Sequence, residues 1–277
     1  MKNDSLTVLG GIALGALAAL AVSERIKIVP YVIHTNKVTS PVRLLHVSDL
    51  HSALYGRNQQ DLLALTHQIA PDAILFTGDI AEERVSPYNA FLYTKAVGNE
   101  YPCFYVSGNH EYYTHRAMEL KRAFSSHGLA VLEGSCATLS VGDQALTVFG
   151  IDDPYGFPDA KMRLWEDQLN DCNAAVEEDR FSILLTHRPE LVRYYADTDF
   201  DLILSGHAHG GQFIIPHVLN GLYAPQQGFF PKYAGGRYQL KDAQTMIVSR
   251  GLSKYVKPRV FNRPELVVIT LLPEKSQ

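Results

Sequence analysis

Five short apolar runs punctuate the chain, at 42–48 (VRLLHVS), 73–77 (AILFT), 103–107 (CFYVS), 181–186 (FSILLT) and 202–204 (LIL). Their length, their β-branched and aromatic content and the turn residues beyond them predict buried strands. Between them the period changes. Leu62, Leu65 and Ile69 at helical spacing predict a helix over 58–70, ending before Pro71. Ser86-Pro87 supplies an N-cap and a first-turn proline for a helix over 86–97, and a third helix is predicted over 114–127, closed by Gly128. Gly142-Asp143 between the apolar halves of 139–150 signals a hairpin. Strands alternating with helices predict an α/β fold. The stretch 216–236, rich in Gly, Pro, Tyr and Phe, reads as a long loop. Its aromatics Tyr223, Phe229, Phe230 and Tyr233 are candidates for holding an acyl chain or a base, or for packing as a lid.

The residues just past each strand change the picture from fold to chemistry. The first run ends in Asp49-Leu50-His51, the second in Gly78-Asp79, the third in Gly108-Asn109-His110-Glu111, the fourth in His187 and the fifth in Gly206-His207-Ala208-His209. A core strand has no reason to finish in such groups repeatedly, because they are costly to bury without partners. Loops beyond the carboxyl ends of strands are where open α/β sheets bind ligands. The alternation of an extended strand end puts Asp49 and His51 on the same side, so both can face one ion. Gly210 and Gly211 let the backbone approach an ion or an anion closely. Imidazole and oxygen donors with no cysteine in any motif suit Mn, Fe or Zn.

In this order, these five blocks resemble the calcineurin-like metallophosphoesterase family over roughly residues 43 to 212. The tail, through His209-Gly210-Gly211-Gln212, Arg250-Gly251-Leu252 and Phe261-Asn262-Arg263-Pro264-Glu265, is similar to the bacterial YkuE and YaeI branch. The resemblance implies a four-layer αββα sandwich of two mixed sheets with a metal site at the strand C-terminal ends. It implies Asp49, His51 and His209 as ligands of one divalent cation, Asn109, His187 and His207 of the other, and Asp79 as the bridge. It further implies that His110 is the general acid and that Asn109 and His110 contact the phosphate. Glu111 is a candidate either for orienting the His110 ring or for a helix N-terminal carboxylate. The implied reaction is hydrolysis of a phosphodiester or pyrophosphate bond by a metal-bound hydroxide. A narrower alternative is a membrane-associated UDP-2,3-diacylglucosamine pyrophosphatase-like enzyme of lipid A synthesis. A third is a non-catalytic scaffold on the same fold, which would be expected to have lost ligands.

The chain has 277 residues, 46% hydrophobic and 19% charged, enough to bury a large core, so one domain is expected over 41–277. A net charge of -4 and a pI near 6.2 argue against double-stranded nucleic acid as a partner. Cys103, Cys136 and Cys172 show no disulfide spacing. The remaining segment, 1–40, reads as a hydrophobic anchor and linker. Residues 6–22 carry no charge over about 17 positions, which predicts an uncleaved membrane anchor, the alternative being a signal cut at Ala19-x-Ala21. Gly11, Gly15 and Ala18 give that run a small-residue face. Lys2 precedes it while Arg25, Lys27, Lys37 and Arg43 come after it, which tilts the expected location toward the inner membrane with a cytoplasmic catalytic domain. His67, His115, His127 and His217 read as exposed or helix-end groups. Arg250, Arg259 and Arg263 read as exposed structural arginines or as bidentate phosphate binders.

Overall fold

Each apolar run becomes a strand with both faces covered. The computed structural model describes residues 21–157, 162–241, 244–255 and 259–274. In chain order the strands are β1 (Lys27–Thr35), β2 (Val42–Val47), β3 (Ala73–Thr77), β4 (Cys103–Val106), β5 (Leu129–Val131), β6 (Ser135–Val141) and β7 (Gln144–Gly150). They continue with β8 (Ser182–Leu185), β9 (Leu202–Ser205), β10 (Tyr223–Ala224), β11 (Gly228–Phe229), β12 (Gly236–Gln239), β13 (Thr245–Val248) and β14 (Glu265–Pro273). Two six-stranded sheets result, ordered β1-β14-β2-β3-β4-β5 and β12-β13-β9-β8-β7-β6, with β10 and β11 paired apart. Both sheets are mixed: β2, β3, β4 and β5 run parallel while β14 opposes β2, and β7, β8, β9 and β13 run parallel while β6 and β12 oppose their neighbours.

The period of two within each strand builds the layers. Leu44, Leu75 and Phe104 face the second sheet, meeting Leu146, Val148 and Ile183 in the middle layer. Their neighbours Leu45, Phe76 and Tyr105 face outward under α1 (Gln60–Ile69), α2 (Tyr88–Gly98) and, beyond the short α3 (Asn109–Tyr113), α4 (Ala117–Ser126). On the far side Phe149, Leu184 and Ile203 pack under α5 (Met162–Ala174) and α6 (Val192–Tyr195), around Trp165 and Tyr195. The fold is therefore the expected αββα sandwich.

Local differences from expectation have local causes. The helix expected over 58–70 starts at Gln60, because Asn58 and Gln59 take left-handed backbone angles. The helix expected over 114–127 is α4 alone and starts only at Ala117, because α3 ends just before it where Thr114 Oγ1 turns back to the Glu111 carbonyl and His115 takes a φ of 56°. The first sheet begins inside the segment read as anchor and linker, since β1 pairs in parallel with β14 along its whole length. Apart from Ala21 and Val22, the uncharged run at 6–22 lies outside the described residues, and among the described residues no helix is long and apolar enough to cross a membrane.

Candidate metal centre

The C-terminal ends of β2, β3 and β4 in one sheet and of β8 and β9 in the other point their loops at one spot. Hydrogen bonds tie those loops together across the sheets. Asp49 N donates to the Gly78 carbonyl (3.0 Å), His51 N to the Asp79 carbonyl (2.9 Å) and His207 N to Asp49 Oδ1 (3.0 Å). The Glu111 carboxylate accepts the N–H groups of Asp79, Ile80, Ala81 and Gly108, at 2.7 to 3.0 Å. It thus caps α3 and clamps the β3 and β4 loops to each other. Orienting His110 is not its role.

Asp49 and His51 do converge, but not by strand alternation. Asp49, His51, Asp79, His207 and His209 all hold positive φ, between 47° and 64°, a region that costs a non-glycine residue about 1 to 3 kcal/mol and persists only where the surroundings impose it. The chain therefore leaves the strand in a tight left-handed turn at the motifs after β2, β3 and β9, whereas the motif after β4 opens directly into α3. Close approach does the rest. A Cβ on Gly206 would sit 1.9 Å from Ser48 Oγ and 2.2 Å from Asp49 Oδ2, and one on Gly108 would sit 2.2 Å from Asp79 Oδ1. Gly206→Ala should therefore displace Asp49 and weaken Mn²⁺ binding about 10- to 100-fold, the scale of a disturbed ligand support, as read by titration calorimetry. Unchanged affinity would show that Asp49 is not a ligand.

Donor atoms gather in overlapping groups: Asp49, His51 and His209; Asp79, His187 and His207; and His51, Asp79 and His110, each with its candidate ligand atoms within 4.8 Å of one another. His209 Nε2 lies 3.7 Å and His51 Nε2 3.9 Å from Asp49 Oδ1. Asp79 Oδ2 lies 3.0 Å from His187 Nε2, 3.6 Å from His51 Nε2 and 4.0 Å from His110 Nε2, between the first two groups. His207 Nδ1 lies 3.2 Å from His187 Nε2. Asn109, at the first turn of α3, is buried with Oδ1 unpaired. Also buried and without a hydrogen-bond partner are His51 Nε2, Asp79 Oδ2 and His209 Nδ1. Each such orphan costs about 1 to 3 kcal/mol. The mixed N/O set gathered around Asp49 Oδ1 and Asp79 Oδ2, which includes the orphaned His51 Nε2 and Asp79 Oδ2, fits divalent cations well.

The protonation states reflect this crowding. Burial alone would raise the Asp79 carboxyl, yet His187, His110 and His51 around it hold it well below the usual carboxylate range. Burial raises Asp49. His187 is pushed up to about 10, against its burial, by Asp79 and Asp49. Burial and the neighbouring imidazoles lower His207 and His209 well below 6.5, so both keep a free nitrogen lone pair at neutral pH. His187 Nδ1 donates to the Thr77 carbonyl at 2.6 Å, which leaves Nε2 for a cation or, without one, for a proton shared with Asp79.

Three supporting residues carried no sequence signal strong enough to single them out. Glu82 Oε2 accepts from His51 Nδ1 (2.7 Å) and Glu83 Oε2 from His110 Nδ1 (2.6 Å). Gln226, in the turn joining β10 to β11, accepts from His207 Nε2 through Oε1 (2.7 Å). The two carboxylates lie only a few positions beyond Asp79 and could have been suspected from that spacing; Gln226 could not. His110 is pushed up to about 10, against its burial, by Glu82, Asp79 and Glu83. It is therefore the imidazolium, a proton donor, across the neutral range. Glu83→Gln should lower that pKa, and because an acid works only while protonated, the basic limb of the pH–rate profile should move to lower pH. A limb that stays in place would remove Glu83 from any role in setting His110.

The predicted arginines turn out to be structural, and Arg259 is not exposed. Its guanidinium donates to the carbonyls of Asn262, Ser253 and Arg250, while Arg263 donates to those of Arg25 and Ile26. Arg250 pairs with Glu265 at 3.3 Å. None of these bonds is directed at the cluster. His67 pairs with Glu100 and His127 caps α4 beside Thr94, as helix-end groups do.

Comparison with known proteins is consistent with this geometry. The family described as calcineurin-like phosphoesterase matches residues 42–211. The chain is 26% identical over 269 residues to YpbG of Bacillus subtilis, covering 96% of this chain and 95% of that one. It is 27% identical over 237 residues to the metallophosphoesterase YkuE of the same organism, covering 83% and 78%. It spans only 48% to 63% of several further curated metallophosphoesterases. Among solved structures, the phosphopantetheinyl hydrolase of Mycobacterium tuberculosis superposes with a TM-score of 0.51 at 13% identity, over 87% of this chain and 99% of that one, a likeness of fold.

Proposed function

The chain belongs to the calcineurin-like phosphoesterases, and from that premise we propose that it hydrolyses a phosphodiester or pyrophosphate bond with two divalent cations. Metal-dependent phosphoester hydrolysis is the activity of the family; the bond type, the pair of cations and the residue roles are our reading. The observation that carries it is the convergence of Asp49 Oδ1, His51 Nε2, Asp79 Oδ2, His187 Nε2 and His209 Nε2 at the meeting point of two sheets. Asp49, His51 and His209 would hold one cation and Asn109, His187 and His207 the other, with Asp79 between them. When bound, such a pair activates water and neutralises charge on the phosphoryl oxygens. Glu82 and the Thr77 carbonyl fix the His51 and His187 rings, so the ligands are pre-set before metal arrives. Asn109 and His110 would meet the phosphate, and the protonated His110 would pass its Nε2 proton to the leaving oxygen while Glu83 holds Nδ1.

The reading is tested with the full chain reconstituted with Mn²⁺ against an aryl phosphodiester and the matching monoester. Turnover of the diester, abolished by chelation and restored by metal, is expected. Two bound metals with no turnover of any diester or pyrophosphate would overturn it and leave the scaffold reading. A narrower reading, cleavage of a UDP-diacylglucosamine-type pyrophosphate, is favoured by the exposed Phe229 and Phe230 at the hairpin whose Gln226 meets His207. It requires release of UMP from that substrate.

A further inference from the structure

The segment beyond His209 leaves several large apolar side chains in solvent. Val218 is 81% exposed, Phe229 71%, Phe230 69% and Ile215 44%, all in the stretch beyond His209, and Phe261 is 37% exposed beside them. Single exposed apolar residues need no explanation, whereas grouped ones do, and Tyr223, Phe229 and Phe230 stack ring beside ring at 5.4 and 6.5 Å. Ile215, Val218 and Phe261 line one groove of about 730 Å³. Lys27 and Arg263 line the same groove, and its carboxylate, Glu265, is already paired with Arg250. On a chain of net charge -4 this is a local cationic rim around an apolar face.

Two further observations say what covers it. The uncharged run at 6–22 joins the described residues here: the Ala21 carbonyl accepts the Phe261 N–H at 2.6 Å, and Val22 is 61% exposed. The β10–β11 hairpin, which bears Phe229, also bears Gln226 against His207. The face, the end of the apolar run and the metal centre are thus consecutive parts of one edge. We propose that this edge lies on an anionic lipid bilayer, with Val218, Phe229 and Phe230 at the depth of the headgroups and acyl ends and Lys27 and Arg263 over lipid phosphates, so that the substrate is a phosphoester carried by a membrane lipid. A long apolar run and an amphipathic face at its end serve one medium, the pairing of signals that stable interfacial attachment needs. The substrate class rests on the two-metal reading above; the bilayer contact does not.

The test uses the full chain with vesicles of phosphatidylcholine and phosphatidylglycerol bearing brominated acyl chains. Trp165 is fully buried and supplies a constant background. Tryptophan emission of Phe229→Trp should be quenched at least about twofold more than that of Met118→Trp, on α4. Equal quenching, quenching of neither while the chain floats with the vesicles, or no flotation would each overturn the contact, the last leaving the face to the chain's own apolar run or to a second copy. Phe229→Ser with Phe230→Ser should lower the ratio of vesicle-borne to soluble phosphodiester turnover about tenfold. An unchanged ratio would refute the lipid substrate. Absence of all turnover in the parent chain would refute the two-metal reading, with the quenching result still standing or falling by itself.

Discussion

Asp79→Asn should leave the chain folded and nearly inactive, with turnover of a phosphodiester down by on the order of 10³, the scale of removing a central electrostatic element from a preorganised site. Asn keeps the size of the side chain and an acceptor for the His110 N–H, now 2.8 Å from Oδ1. It replaces with a neutral group the oxygen that stands within 3.0 to 4.0 Å of His187, His51 and His110. Metal content measured by mass spectrometry should fall from two cations per chain to one or none. The metal-free chain should show a second effect. His187 is raised to about 10 chiefly by Asp79 against its burial, so with that charge gone burial prevails and His187 should titrate at lower pH, as seen by NMR of the ring protons. Full activity with two bound metals in Asp79→Asn would remove the bridge from the mechanism.

His110→Ala should retain both cations and lose about two to four orders of magnitude in rate, the usual contribution of a positioned general acid. Among the described residues of the cluster, His207 and His209 are held unprotonated, His187 Nε2 is turned to Asp79 at 3.0 Å, and Glu83 is engaged with the ring that would be removed. The loss should shrink with substrates whose leaving group needs no proton, such as nitrophenol esters, and be largest with alkyl leaving groups. An equal loss on both would make His110 a phosphate-binding residue only. A scaffold would show no change in any of these readouts, because partner binding does not depend on the Nε2 proton.

The strand runs at 73–77 and 202–204 were legible because both faces of those strands are buried, so burial alone dictates an unbroken apolar stretch. The motif residues were legible for the complementary reason: Asp, Asn and His have no place at the end of a core strand unless something there uses them. The helix at 58–70 was readable to within two residues, from the stripe of Leu62, Leu65 and Ile69. The edge strand β1 was not, since its exposed face breaks the apolar pattern and its partner, β14, is more than 230 positions away along the chain.

Sequence by itself determined the α/β layering, the identity of the candidate ligands and the chemistry that a mixed imidazole and carboxylate set allows, because each depends on residue type and short spacing. Tertiary structure decided how those ligands meet. The left-handed turns at Asp49, His51, Asp79, His207 and His209, the clamp of Glu111 on two loops, and the reach of Gln226 to His207 all depend on contacts between segments distant in the chain. Backbone strain of that kind is imposed by neighbours rather than preferred by the residue, so no local pattern records it.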